Sequence, residues 1–276
     1  MNLKRIIALE NEVNTQLDTY RDEIEVSLYA SAEELRKGAE DEKDTVLLVA
    51  ATDETIALGK ELEIATIAYA NPNISGQSYA GVEMLVEGFE EIDIDFFEKQ
   101  YQRYFGIPWT ILKTERCVVR ELCLKDLDEL FALYAGEEIT RYTDGLYPYE
   151  EELEFQRAYI NHKYRFFGYG MWLVFLKETG ELIGRAGLEH REYDGETELE
   201  LGYVIGTNYQ RQGYASEVCG EILAIAKEWS GFDRINCLID AKNLPSIALA
   251  EKLGFQLSEK YEVCEKIMCR FIRELR

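Results

Sequence analysis

The apolar positions change their period at one place that organises the chain. Glu198, Glu200 and Gly202 alternate with Leu199, Leu201 and Tyr203, the two-residue period of a strand. From Ser216 onward, Val218, Ile222, Leu223, Ile225 and Ala226 recur at three- and four-residue spacing, the period of a helix with one apolar face. Thr207 and Asn208 between them suit a turn. The pattern therefore predicts a strand, a tight turn, and a helix beginning near Gln212-Gly213-Tyr214-Ala215. The first N–H groups of a helix lack partners within it, and the dipole adds partial positive charge there. Gln210 to Ala215 would then suit a pyrophosphate, with a small residue admitting the anion and Arg211 as an added cation. On these six residues alone an ordinary strand-to-helix turn explains the pattern as well.

Residues 1–113 read as a separate, smaller α/β domain of Rossmann-like type. Arg5–Leu9 is a short apolar strand, and Ser31 caps a helix. Thr45–Ala50 is a continuous apolar run, as expected of a strand buried on both faces. Asp53 is placed to cap a helix to about Leu62, and Ile64–Tyr69 is the next strand. Strand, helix and strand in this length form a βαβ unit with parallel strands and a right-handed crossover. Asn71–Gln77 is a loop, Val82–Phe89 a further strand or short helix, and Asp95–Phe105 a helix.

The join falls near Leu112–Glu115, without a low-complexity linker. Residues 114–276 then run: strand from Cys117, helix Lys125–Tyr134, aromatic loop Thr140–Tyr149, and helix Glu150 to about Arg165. Strands follow at Met171–Leu176 and Leu182–Glu189, with Gly180 in the turn between them. After the strand ending at Ile205 and its helix come a strand at Asp233–Asp240 and a helix at Leu244–Leu253. Gly254 ends that helix, and Tyr261–Phe271 closes the sheet.

Two motifs in this part carry a resemblance. Gln210, Gly213 and Ala215 fill the pattern (Q/R)xxGx(G/A), and Asn243 to Phe255 reads NxxSxxxxEKxGF. In this order they resemble the GNAT superfamily of N-acetyltransferases, over about Glu115 to Arg276, and within it the ribosomal-protein N-acetyltransferases and their relatives. The resemblance implies a mixed sheet, flanked by helices, that splays open after the strand ending near Ile205. It also implies acetyl-CoA as cofactor. Tyr203, Val204 and Ile205 would pair with the pantetheine arm. Arg211, Gln212, Gly213, Tyr214, Ala215 and Ser216 would hold the pyrophosphate, and Asn243 would meet the thioester end. Many relatives carry a tyrosine general acid seven residues after that asparagine, where this chain has Ala250. The first domain resembles the haloacid dehalogenase (HAD) phosphatases in VLLVAATDETIALGKELEIATIAY, but Leu9 and Asn11 occupy the two aspartate positions that family needs. That resemblance implies a degenerate module whose chemistry is lost.

Composition narrows the partners. The net charge is −23, and both domains share the acidity. Nucleic acid is a poor partner for such a surface. A cationic amine would be attracted, although acidity also serves solubility alone. No apolar run approaches the roughly 20 residues that span a bilayer, and the run after Lys4-Arg5 is too short for a signal peptide. The reading is a cytoplasmic protein that does not enter a membrane. The six cysteines, at 117, 123, 219, 237, 264 and 269, form no CxxC pair. Their spacing suits buried thiols rather than a metal site.

The implied reaction is attack of a primary amine, on a small molecule or a protein N-terminus, on the acetyl thioester. Such an amine is protonated at neutral pH, with a pKa of roughly 8 to 10, so a base must take its proton. Glu200 is the first candidate and Glu198 the second, both on the face of Gly202; Glu189 and His190 follow. Ser246 is the candidate proton donor in place of the missing tyrosine, with Tyr214 and Tyr169 behind it. For each acid the plain alternative is a solvated charge on a sheet. Two other readings stay open: a CoA- or nucleotide-binding regulatory protein without catalysis, and a working phosphatase using Asp53. The first domain would serve as scaffold, ligand sensor or homodimer interface.

Overall fold

The computed structural model describes residues 2–193, 195–263 and 265–275, so Cys264 lies outside them. The chain forms two compact units, Met1–Trp109 and Thr110–Arg276.

In the first unit the order is β1 (Arg5–Leu9), α1 (Glu10–Val13), β2 (Glu25–Tyr29), α2 (Ala32–Ala39), β3 (Val46–Ala50), α3 (Asp53–Leu62), β4 (Ala65–Tyr69), β5 (Leu85–Val86) and α4 (Ile94–Tyr104). The five strands are parallel, in the order β2-β1-β3-β4-β5. The apolar run of β3 has a direct cause. Leu47 and Val49 enter one hydrophobic cluster and Val46, Leu48 and Ala50 another, on the two faces of the sheet. Strand β2 is absent from the sequence reading because its residues are mostly partly exposed, which blurs the alternation. Thr52, rather than Asp53, caps α3, its hydroxyl accepting from Thr55 N–H. The Asp53 carboxylate instead accepts from the N–H groups of Ser78 and Tyr79. The segment Val82–Phe89 contributes only the two-residue strand β5.

The second unit runs β6 (Thr110–Lys113), β7 (Cys117–Arg120), α5 (Leu127–Tyr134), α6 (Glu137–Thr140), α7 (Tyr149–Tyr159), α8 (Arg165–Phe167), β8 (Met171–Leu176), β9 (Leu182–Tyr193) and β10 (Glu196–Ile205). It then continues with α9 (Tyr214–Ser230), β11 (Arg234–Asp240), α10 (Leu244–Lys252), β12 (Gln256–Val263) and β13 (Lys266–Glu274). The division falls after Trp109 rather than after Lys113, because Thr110–Lys113 pairs antiparallel with β7. The eight strands lie in the order β12-β13-β11-β10-β9-β8-β7-β6. All neighbours are antiparallel except β10 and β11.

That parallel pair holds at only two positions, Leu199 with Ile235 and Glu200 with Asn236. Beyond them the strands part, and the rest of β10 has no ladder partner on that side. Helix α9 packs Val218, Cys219, Ile222, Leu223 and Ala226 into the core beside β10. The long helix read over Glu150–Arg165 is interrupted by a π-helical turn at Ile160–Tyr164, and Gly168, at φ +76°, ends α8. The close of the sheet is a hairpin, β12–β13, not one strand. Nearly every residue of β12 is exposed, so no apolar alternation marked it. No helix among the described residues is long and apolar enough to cross a membrane.

Candidate functional site

A groove of about 690 Å³ opens where β10 and β11 part. Tyr203, Val204 and Ile205 form one wall; Arg211, Gly213, Tyr214, Ala215 and Ser216 form its end. Asn243 and Ser246 of α10 line the other side, with Arg141, Tyr142 and Thr143 at the mouth. Of the ten residues expected to hold the cofactor, nine therefore meet in one groove. Gln212 does not line it: its side chain donates to the Asn208 carbonyl at 2.8 Å and its own carbonyl accepts from Arg116.

The start of α9 carries the feature that binds anions. No side chain caps it, and its N-cap is Gly213 at φ +88°. Arg211 also adopts a left-handed conformation, at φ +60°. The two left-handed residues turn the chain sharply, so the N–H groups of the first turn face outward without helical partners. The groove rim gathers Arg141, Arg211 and Lys252 against one acid, Glu138. In a chain of net charge −23, such a local reversal of sign suits a polyanion.

Arg116 braces this cradle from outside both motifs. Its backbone N–H and Nε donate to the two Glu217 oxygens at 2.8 and 2.7 Å, its Nη1 donates to the Gln212 carbonyl at 3.0 Å, and its guanidinium lies 4.2 Å from the centre of the Tyr214 ring. Thr114 donates to the same carboxylate at 2.5 Å. Burial alone would raise the Glu217 pKa, but these bonds outweigh it, so the carboxyl is held below its ordinary value. The sequence offered no sign of this brace, since Arg116 lies about a hundred residues before the helix it supports.

The side of the groove opposite β10 is built by α10. Asn243 caps that helix, its Oδ1 accepting from Ser246 N–H at 3.3 Å. Tyr203 spans the gap and donates to the Ser246 carbonyl at 3.2 Å. Burial, only partly offset by that bond, pushes the Tyr203 phenol up, so it stays a donor. Ala250 is 1% exposed and packs into the core, while Ala248, Leu249 and Lys252 line the groove.

The candidate bases part company. Glu198 is not a solvated charge beside the splay but the hub of a buried cluster. It accepts from Arg234 at 2.7 Å, Asn236 at 3.0 Å and Arg270, which overturns its candidacy as a free base. Glu200 accepts from Tyr193 at 2.5 Å and Arg191 at 3.3 Å and lies outside the groove lining. Glu189 accepts from Tyr159 at 2.9 Å. His190 meets Tyr169 at 2.7 Å, which occupies Tyr169 away from the groove. Cys219 is fully buried, its thiol pushed up to about 12, and is no nucleophile.

Residues 116–256 match the family described as "Acetyltransferase (GNAT) domain". The uncharacterised protein YkkB of Bacillus subtilis is 30% identical over 156 residues, 54% of this chain and 87% of YkkB. YoaA of the same organism, described as an uncharacterised N-acetyltransferase, is 28% identical over 53% of this chain and 82% of its own. The solved structure of RimL, a ribosomal L7/L12 alpha-N-protein acetyltransferase in complex with coenzyme A, superposes with a TM-score of 0.52 at 17% identity. It covers 60% of this chain and 98% of RimL, a likeness of fold. With a splayed sheet, an uncapped helix start and a family match in the same residues, this chain belongs to the GNAT family of N-acetyltransferases.

Proposed function

We propose that the chain transfers an acetyl group from acetyl-CoA to a primary amine, on a small molecule or a peptide N-terminus, by direct attack of the amine on the thioester. One observation carries this reading. The backbone of β10, released from β11, and the uncapped start of α9 share a single groove. The residues present fit the cofactor: Gly213 leaves the backbone bare, and the rim is cationic.

In this reading the free edge of Tyr203–Ile205 pairs with the pantetheine arm as a strand would. Arg211 and the amides of Gly213–Ser216 hold the pyrophosphate, and Asn243 stands beside the thioester end. The thioester supplies an acyl group with a good leaving thiolate. A backbone N–H on the open edge of β10, that of Tyr203 or Ile205, would stabilise charge that develops on the carbonyl oxygen, since the Val204 N–H is turned toward β9. The Ser246 hydroxyl, without a partner among the described residues, donates to the departing sulfur. Glu200, reached through water, takes the amine proton. The first unit is read as a degenerate HAD-like, non-catalytic module. Leu9 and Asn11 stand where that chemistry needs aspartates, and the Glu12 carboxylate accepts from Ala51 N–H, Thr52 and Thr55 at the start of α3.

A second reading, a CoA-binding regulator without catalysis, rests on the alanine at 250, where many relatives carry a tyrosine general acid. Incubation with acetyl-CoA and a panel of amines, followed as free thiol, separates the two. Amine-dependent thiol release supports the transferase, and tight binding without turnover of any amine supports the regulator.

A further inference from the structure

One buried cation near the groove is unused by this account. Arg185 is 8% exposed, its Nε has no hydrogen-bond partner, and among the described residues it forms no ion pair. It sits on β9 directly opposite Val204 of β10, with Leu173 of β8 on its other side. The groups facing it are phenols. Tyr134 of α5 is hydrogen-bonded to it, and Tyr159 of α7 and Tyr164 of the π-helical turn lie close by. Burial works against its charge, but these oxygens outweigh that effect and its pKa is raised.

The acids further along the same face have their own partners. Glu189 is held by Tyr159 at 2.9 Å and approached by Arg191 at 3.5 Å, and Glu200 is held by Tyr193 and Arg191. A charge removed from water without a counter-ion is expensive. The place of this charge is informative. Neighbouring strands lie about 4.8 Å apart, so a chain lying along the open edge of β10 runs about 10 Å from β9, two strand spacings away.

We propose that Arg185 is a buried cation that favours negative charge at the thioester end of the groove, acting through space rather than by contact. It rests on the acetyl-CoA reading. The charge that builds on the carbonyl oxygen and then on the departing thiolate lies within its field. A positive charge there also disfavours the protonated form of an incoming amine. At about 10 Å and an effective dielectric constant of about 20, one charge moves a neighbouring pKa by about one unit.

The test uses coenzyme A alone, with no acceptor. The thiol of bound coenzyme A is titrated by its thiolate ultraviolet absorbance in the wild type, Arg185→Gln, Arg185→Met and Arg185→Lys, with melting temperatures recorded alongside. The expected result is a bound thiol that titrates below the free value, roughly 8.5 for a thiol. It should move up by about one unit in Arg185→Gln and Arg185→Met and stay low in Arg185→Lys. The Met variant should melt no lower than the wild type. A thiol pKa unchanged in the neutral variants overturns the proposal. Should neither neutral variant fold, a wild-type thiol at or above the free value overturns it, and one below that value supports it. Failure of the wild type to bind coenzyme A overturns the acetyl-CoA reading itself, a result distinct from binding with an unshifted thiol.

Discussion

The substitution Gly213→Ala isolates the conformation of the cradle from its charge. Gly213 holds φ at +88°, and a Cβ there would stand 3.3 Å from Arg116 Nη2, on the side of the brace. An added side chain therefore meets Arg116 first rather than the ligand. Left-handed backbone costs a non-glycine residue roughly 1–2 kcal/mol. The loss of unfolded-state freedom returns about 0.4–1 kcal/mol. The net strain is about 1 kcal/mol, and it must appear in one of two places. If the variant keeps the wild-type turn, stability falls and the melting temperature drops by about 2–4 °C. If the turn relaxes in the free protein, binding must restore it, and the affinity for coenzyme A falls about fivefold. Calorimetric titration and thermal melting of the same samples measure both, and the two costs should together reach about 1 kcal/mol. Gly213→Asn, which tolerates this conformation better, should lose less than Gly213→Ala. An alanine variant that matches the wild type in both measurements refutes the strain assigned to Gly213.

Further predictions follow from the brace, the first unit and the acid limb of stability. Arg116→Met should weaken coenzyme A binding by roughly tenfold, through loss of charge-assisted bonds. Arg116→Lys should recover little of it, because a lysine cannot make the forked and stacked contacts; full recovery in titration would reduce the brace to a simple charge. Glu12→Ala leaves the Ala51 N–H and two hydroxyls without their acceptor. It should cost about 2–3 kcal/mol in a urea melt of the first unit, and added acetate should return part of that. An unchanged midpoint would contradict the assignment. Burial raises the Asp126 pKa, but its bonds from Arg120 and from Cys123 N–H outweigh that and hold it below the ordinary value. Its depressed folded pKa means that its contribution is complete above about pH 4 and is lost as pH falls through the folded value. Asp126→Asn should therefore flatten the loss of stability below pH 4, and an identical acid limb in both proteins would argue against it.

The parts legible in the sequence are those where a local pattern and a local geometry coincide. The alternation at Leu199–Ile205 and the helical spacing after Ser216 mark β10 and α9 directly, and Gly213 and Asn243 stand at the helix starts that their chemistry favours. The continuous apolar run of β3 reflects burial on both faces. The parts that escaped depend on distant residues. Glu198 looks like an exposed strand acid until Arg234 and Arg270, on two other strands, close around it. Arg116 acquires its role only when β7 is laid beside the start of α9. Arg185 looks ordinary until α5 and α7 cover it with phenols. Strands β2 and β12 were hidden for the opposite reason, since exposed positions leave no apolar period to read.

Acetyl transfer by this chain requires that the opening between β10 and β11 seat a thioester carrier. Calorimetric titration of acetyl-CoA into the full chain tests this most directly. One molecule should bind per chain, with affinity that weakens as salt is added, as phosphate contacts with exposed cations require. An absence of any association at millimolar ligand would contradict it.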